Sequence, residues 1–285
     1  MPMLVTRMGA RVFLINLSKD TDRLKAMSNQ LVRLALPFER IEAVYGTQLP
    51  EWLRPYFLNA QGQVAPELEP GEVGCYASHL LVLKRIVENN TPGLVLEDDL
   101  ELDEKLPEIL ASTHALPRDW DILRLSGYEN HFPKFPAGAL SEGKKVIKYS
   151  RVPFGTGAYL ITPQGARKFL SWRTLRTAPV DYDLRRVWDC RLATYGIDPF
   201  PVRQNTFPSV IEEMGTRKRG KKYHSGQRLS YRVGRLAYEI RWLGIRNWGR
   251  SLLSTQAERT KQKLQRGFGK IDVKAKSPGA DARVE

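Results

Sequence analysis

Gly93-Leu94-Val95-Leu96-Glu97-Asp98-Asp99-Leu100-Glu101-Leu102 is the stretch that decides the fold. Four residues without a charge run into three consecutive carboxylates, and apolar residues then resume. A short apolar run bounded by a turn signal, here Pro92-Gly93, reads as a buried strand of an α/β sheet. Such a strand does not carry three unpaired anions in its middle, because each costs several kcal/mol to desolvate. The acids are therefore expected at its carboxyl end, where open α/β sheets bind ligands. Side chains alternate along a strand, so Glu97 and Asp99 would share one face while Asp98 points to the other. Clustered carboxylate oxygens suit a hard divalent cation such as Mg²⁺ or Mn²⁺, which keeps coordination places for substrate phosphates. The residues alone fit a solvated acidic turn, or carboxylates at the start of a helix, equally well.

The 285 residues are enough to bury a sizeable core, and 42% hydrophobic with 27% charged residues is the balance of an ordinary globular protein. The two cysteines, Cys75 and Cys190, make neither a disulfide framework nor a metal quartet. With no signal peptide in evidence, the expectation is a reducing cytoplasm, and no apolar run is long enough for a spanning helix. The net charge of +14 is unevenly spread. Residues 217–285 carry 19 basic against 5 acidic residues, and the first 216 are balanced at 26 of each. That division predicts a neutral domain over 1–216 and a cationic extension over 217–285.

Arg11 to Leu17 reads as a first strand, followed by a polar loop and a helix over Arg23 to Leu34. No Gly-rich phosphate loop follows the strand, which argues against a dinucleotide fingerprint or a P-loop. Phe38 to Val44 alternates as a second strand. Thr47 to Gly71 reads as an ordered excursion, because Trp52, Tyr56 and Phe57 require burial. Glu72 leads into a helix to about Asn89 with Ser78 and His79 in its early turns. Further on, the expected elements are a helix over Leu106 to Ala115 and a strand over Asp119 to Ser126. A loop over 130–145 and strands over Val146 to Ser150 and Gly157 to Thr162 follow. Pro163 to Trp172 reads as a helix capped by Thr162. A helical stretch from Pro179 and a short strand over Ile197 to Val202 complete the domain.

In order along the chain stand Ile15-Asn16-Leu17 with Asp22-Arg23, then Gly71-Glu72-Val73-Gly74-Cys75 with Ser78-His79, and then Leu96-Glu97-Asp98-Asp99. Trp120-Asp121-Ile122-Leu123, Gly155-Thr156-Gly157-Ala158-Tyr159-Leu160 and Pro179-Val180-Asp181 follow. This series resembles glycosyltransferase family 25, which includes bacterial lipooligosaccharide galactosyltransferases and the collagen galactosyltransferases. The resemblance spans roughly Val12 to Ile211 and leaves the tail outside. It implies a GT-A-like α/β fold, a Rossmann-like mixed sheet flanked by helices. It also implies a UDP-sugar donor, a divalent cation (Mn²⁺ or Mg²⁺), and inversion at the anomeric carbon during transfer to a glycan or lipid-linked saccharide.

On that reading Asp99 is the first expected metal ligand, with Glu97 as a second and Asp98 as ligand, ribose partner or support. The acidic motif begins with Glu here, which leaves these individual roles open. Asn16, Leu17 and Arg23 are candidates for uridine and diphosphate contacts, and Ser78 and His79 for donor or metal contacts. Inversion in one displacement needs no protein nucleophile, only a group to take the acceptor proton. Asp181 is the expected base, with Asp183 as substitute and Glu129 and Glu72 as further candidates; His224 is a remote candidate for the metal. Cys75 reads as a small core residue.

The tail reads as a charge run at Arg217 to Lys222, then an amphipathic helix over Leu229 to Leu253, then a disordered end after about Gly267. Leu229, Val233, Leu236, Ile240 and Leu243 form a stripe flanked by arginines. This composition suits peripheral attachment to an anionic membrane surface, with packing on the domain as the alternative. Nucleic acid is not an expected partner, because no recognition motif accompanies the charge. A catalytically inactive relative acting as a scaffold is the alternative function.

Overall fold

The computed structural model describes residues 9–128, 132–172, 175–204, 229–254 and 256. Strand β1 (Arg11–Asn16) leads to helix α1 (Thr21–Arg33) and strand β2 (Phe38–Glu42). A 3₁₀ turn (Glu51–Leu53) and the short α2 (Arg54–Phe57) occupy the excursion, with Leu53 and Phe57 in the core. Helix α3 (Pro70–Asn89) then enters β3 (Gly93–Leu96), and the three acids separate β3 from β4 (Leu100–Leu102). After α4 (Leu106–Ala111) come β5 (Ile122–Arg124), β6 (Lys134–Ala139), β7 (Lys145–Tyr149) and β8 (Ala158–Ile161). Helices α5 (Pro163–Trp172), α6 (Val180–Arg185) and α7 (Val187–Cys190) precede β9 (Thr194–Asp198) and β10 (Val202–Gln204). Helix α8 (Leu229–Leu243) closes the described chain together with a further helical stretch over 245–254.

Eight strands form one mixed sheet in the order β2-β1-β3-β8-β5-β9-β7-β6, and β4 pairs with β10 in a small antiparallel pair. Strand β1 runs parallel to β2 and β3, whereas β8 is antiparallel to both of its neighbours. Alternation along the central strands divides the core into two layers. Phe13, Val95, Ile122 and Tyr159 face α3 through Tyr76, Leu80, Leu83 and Ile86. Val12, Leu14, Leu94 and Leu160 face Met27 and Leu31 of α1 and Ile109 and Leu110 of α4. Each such aliphatic side chain contributes about 1.5–3 kcal/mol on full burial, so helix–sheet–helix layering follows from the period-two pattern. The architecture is that of a GT-A-like fold, as the family resemblance implies.

Several elements differ from the sequence reading. The expected loop over 130–145 contains strand β6, which Pro136 and Gly138 disguise and which shifts register between them. The single strand expected over Ile197 to Val202 is instead two: β9, which begins three residues before Ile197, and β10, which begins only at Val202. Helix α3 starts at Pro70 behind a capping box, in which the Glu72 carboxylate accepts the Glu69 N–H at 3.0 Å. Ser78 and His79 therefore fall in its third turn.

The tail helix is broken at Gly244, whose φ of +75° ends α8. Of the expected stripe, Leu243 is buried while Val233 and Leu236 are exposed. The packed face is instead aromatic: Trp242 meets Tyr195 edge-on at 4.9 Å, and Tyr238 Oη donates to the Leu192 carbonyl at 2.7 Å. Lys148 Nζ donates to the Trp242 carbonyl at 3.0 Å and lies over its ring. The charge run at 217–222, His224, the boundary at 216 and the end after 267 lie outside the described residues.

Helix α3 crosses the segment after β2 with almost no space between backbones. A Cβ on Gly74 would lie 2.4 Å from the Val44 carbonyl oxygen, and one on Gly46 would lie 1.9 Å from the Pro70 oxygen. Gly74→Ala is therefore expected to lower stability by about 1–3 kcal/mol, read as the urea midpoint. Gly249→Ala, where nothing lies within 4 Å, should be neutral or stabilising by up to about 1 kcal/mol. Equal midpoints for the two variants would show that the crossing is not tight.

Candidate functional site

The carboxyl ends of β1, β2 and β3 open into one cavity of about 570 Å³. Its walls include Asn16, Leu17, Arg23, Ser78, His79, Glu97, Asp98, Asp99 and Asp181, every candidate of the sequence reading among the described residues except Asp183. Tyr45 to Thr47, Gly155 to Gly157 and Val202 to Gln204 complete much of the lining.

The three acids have three different environments. Asp98 turns toward β1, where Asn16 Nδ2 donates to it at 2.6 Å and Arg23 at 3.2 Å. Burial raises the Asp98 carboxyl, and those two partners oppose the shift. Asn16 is itself held by Arg40, which donates to Oδ1 at 3.1 Å, and donates in turn to the Asp20 carbonyl. Glu97 turns toward α3, accepting from Thr156 at 2.6 Å and meeting His79 Nε2 at 3.2 Å. Burial would raise its carboxyl, but its hydrogen bonds with His79 and Thr156 and the Arg124 charge hold it below the usual range.

Asp99 is different again. Its Oδ1 is buried with no hydrogen-bond partner, and Gln204 approaches Oδ2 at only 3.5 Å. Burial, and then the neighbouring charge of Glu97, push the Asp99 carboxyl up to about 6. A buried carboxylate oxygen with no donor, next to a second carboxylate, is what a hard cation would satisfy. Asp99 and Glu97 thus fit a divalent ion.

Other candidates serve the frame. Ser78 Oγ accepts the Val44 N–H at 2.8 Å and donates to the Gly74 carbonyl at 2.7 Å, fastening α3 to the end of β2. Leu17 lines the cavity, and its carbonyl accepts the Asp20 N–H. Glu72 is occupied in the α3 capping box. Asp183 is fully buried and accepts from Tyr76 Oη at 2.9 Å, so it does not reach the cavity. Asp181, two residues earlier on α6, lines the wall. Glu129 lies outside the described residues.

Sequence reasoning missed three contributors. Gln204 reaches Asp99 because β10 pairs with β4, a pairing that no local pattern announces. Tyr159 places its hydroxyl 2.9 Å from His79 Nδ1, from the strand beside β3. Cys75 packs against the core, as expected of a small residue, but it is only half-buried, lines the cavity, and lies near His79 and Glu97.

The Asp99 environment has a measurable consequence. An unfolded aspartate loses its proton near pH 3.9, and Asp99 in the native chain does so near 6. Between these values the native state holds more protons, so stability falls as pH rises from about 4 to about 6. Without divalent cations, Asp99→Asn should become the more stable form across that window, by on the order of 2 kcal/mol at pH 7. Superimposable urea midpoints of the two proteins from pH 4 to pH 7 would refute this.

Residues 10–184 match the model of glycosyltransferase family 25, described as LPS biosynthesis protein. The chain is similar to Procollagen galactosyltransferase 1-B of Xenopus laevis, 31% identical over 199 residues covering 62% of this chain and 31% of that protein. A Glycosyltransferase 25 family member of Aedes aegypti is 28% identical over 197 residues, covering 61% of this chain and 30% of the relative. Inactive glycosyltransferase 25 family member 3 of Homo sapiens is also 28% identical over 197 residues, covering 62% of this chain and 31% of its own length. The chain spans less than a third of the length of each of these three relatives. The family match takes in β1, α3, β3, β8 and most of α6, and with them every wall of the acidic cavity except the end of β9, β10 and the loop between them. The chain belongs to glycosyltransferase family 25.

Proposed function

We propose that this chain transfers a sugar, galactose in the first instance, from a UDP-sugar to a hydroxyl of a glycan or lipid-linked saccharide, with inversion. The observation that carries this reading is the orphaned Asp99 Oδ1 beside Glu97, in a cavity that also holds Asp181. The galactosyltransferase name of the Xenopus relative supports the choice of sugar.

Asp99 and Glu97 would hold the divalent cation. When bound, that ion supplies Lewis-acid stabilisation of the diphosphate leaving group. Leu17 and Arg23 are assigned to the uridine and diphosphate end. Asn16 and Asp98 are already paired with each other and serve there by fixing Arg23. Asp181 takes the proton of the acceptor hydroxyl as its oxygen bonds to the anomeric carbon. The bond to the diphosphate oxygen breaks, and its electron pair leaves with UDP. Closing charged groups into a cavity walled by fixed dipoles strengthens each of these interactions relative to water.

The tail's role as a lipid contact rests on the exposed Val233, Leu236, Ile245, Leu252 and Leu253, interspersed with Arg241, Arg246 and Arg250. No helix among the described residues is long and apolar enough to cross a membrane.

The test is Mn²⁺-dependent release of UDP from UDP-galactose in the presence of a lipooligosaccharide acceptor. Asp99→Asn should abolish the metal dependence. Asp181→Asn should lower kcat by about 10²–10⁴-fold with donor KM nearly unchanged. Asp183→Ala leaves the Tyr76 hydroxyl without its acceptor and should cost about 1–3 kcal/mol of stability, while the folded fraction keeps its kcat. No binding of any UDP-sugar at millimolar donor would sink the transferase reading. Binding without turnover would favour an inactive relative, as the human protein's name describes.

A further inference from the structure

We propose that Cys75, His79 and Glu97 form a binding site for one thiophilic divalent cation, Zn²⁺ in the first instance, on the helix α3 side of the cavity. The ligand atoms of these three residues all lie within 4.8 Å of one another. A tetrahedral zinc site, with bonds of about 2.0–2.3 Å, sets its ligand atoms roughly 3.3–3.8 Å apart. Side-chain shifts on the order of 1 Å would therefore bring all three onto one ion.

The supporting frame is already built. Cys75 and His79 are four residues apart on α3, which puts them on one face of the helix. That face is held to the end of β2 by Ser78 and by the Gly74 crossing. Glu97 comes from a different element and is fixed by Thr156 through its side chain and by Gly157 through its backbone N–H. Two ligands at helical spacing and a third from elsewhere is the arrangement that leaves a fourth position open for water or a ligand.

His79 is oriented as a metal ligand should be. Its Nδ1 pairs with Tyr159 Oη at 2.9 Å, and its Nε2 points toward Glu97. A ring nitrogen engaged by a fixed oxygen leaves the other nitrogen directed at the ion, the usual outer-shell support of a ligating histidine. Tyr159 is fully buried and remains a neutral hydroxyl.

A paired His79 and Glu97 would satisfy each other without any ion, and Cys75 would then be a bystander. Two observations separate the site from that simpler arrangement. Among the described residues the Cys75 thiol makes no hydrogen bond, although it faces the cavity. Burial, and then the negative charges of Glu97, Asp181, Asp99 and Glu72, push the Cys75 thiol up. A thiol so placed gains nothing from anionic neighbours by itself, whereas a divalent cation reverses the sign of that field. Sulfur and imidazole ligands select Zn²⁺ or Co²⁺, and the oxygens of Asp99 select Mg²⁺ or Mn²⁺. Glu97 belongs to both sets, so occupancy of the sulfur-bearing site draws it away from Asp99.

Co²⁺ reports the site directly, because a thiolate bound to it gives a charge-transfer absorption. The metal-free full chain titrated with Co²⁺ should develop this band at one equivalent and lose it on addition of Zn²⁺. Cys75→Ser should abolish the band. Tyr159→Phe should keep it with about 10–100-fold weaker affinity. Cys190→Ser, away from the cavity, should leave it unchanged. Zn²⁺ should also protect Cys75 of the native chain from alkylation, with buried Cys190 as the internal reference; this measurement needs no variant to fold. Absence of the band at saturating Co²⁺, its survival in Cys75→Ser, its loss in Cys190→Ser, or alkylation of Cys75 at an unchanged rate would each overturn the proposal. None of these readouts involves UDP or a sugar, so failure of the transferase reading and failure of this site are separately visible.

Discussion

Three consecutive carboxylates leave a strand whose four residues are wholly buried, and each must be stabilised there mainly by protein rather than by water. The chain meets this demand by sending them in three directions. Asp98 goes to the amide and guanidinium of β1 and α1, Glu97 to the imidazole and hydroxyl of α3 and the segment before β8, and Asp99 to the amide of β10. Much of the architecture follows from supplying those partners. Strands β1 and β8 flank β3 in the sheet and carry Asn16 and Tyr159 to it, and the β4–β10 pair delivers Gln204. Of the three acids only Asp99 is left with a buried oxygen that has no partner, so the charge cost not met by the protein is concentrated at one residue of the cavity wall.

The parts of the fold legible in the sequence are those where one physical signal dominates. Strands β1 and β3 are continuous apolar runs, and α5 carries its cap, since Thr162 Oγ1 accepts the Gly165 N–H at 3.0 Å. Strand β6 was hidden because an edge strand tolerates Pro136 and Gly138, which forbid a central one. For the site, the acidic run located the chemistry, but its division of labour is tertiary. Nothing in Asp181-Tyr182-Asp183 says which carboxylate faces the cavity. The choice is made by Tyr76, more than a hundred residues away in sequence, which takes Asp183. The cavity-facing side of Cys75 was hidden for a related reason: packing of a small side chain on a core and exposure of its thiol to a cavity look alike along the helix.

The tail shows the same limit from the other direction. Its apolar stripe predicted the face that should be buried, yet the domain holds α8 through Tyr238 and Trp242, which lie off that stripe. Aromatic rings gain both area and hydrogen bonding from a single contact, and Lys148 adds a cation over Trp242. Val233 and Leu236 are thereby left exposed with Arg241, Arg246 and Arg250, whereas Arg235 pairs with Glu239 and lies over Trp188.

Both borders of the eight-stranded sheet carry features that bear on how copies of this chain behave toward each other. An open sheet border offers a row of free backbone donors and acceptors on which a foreign strand can grow. At one border β2 presents Glu39, Arg40 and Glu42 along five residues. At the other, Pro136 in β6 has no donor to give, and the register shift between Pro136 and Gly138 bends the strand out of line. Neither border is a flat apolar template. A sheet of this width thus disfavours strand addition between molecules by the chemistry of its two outermost strands.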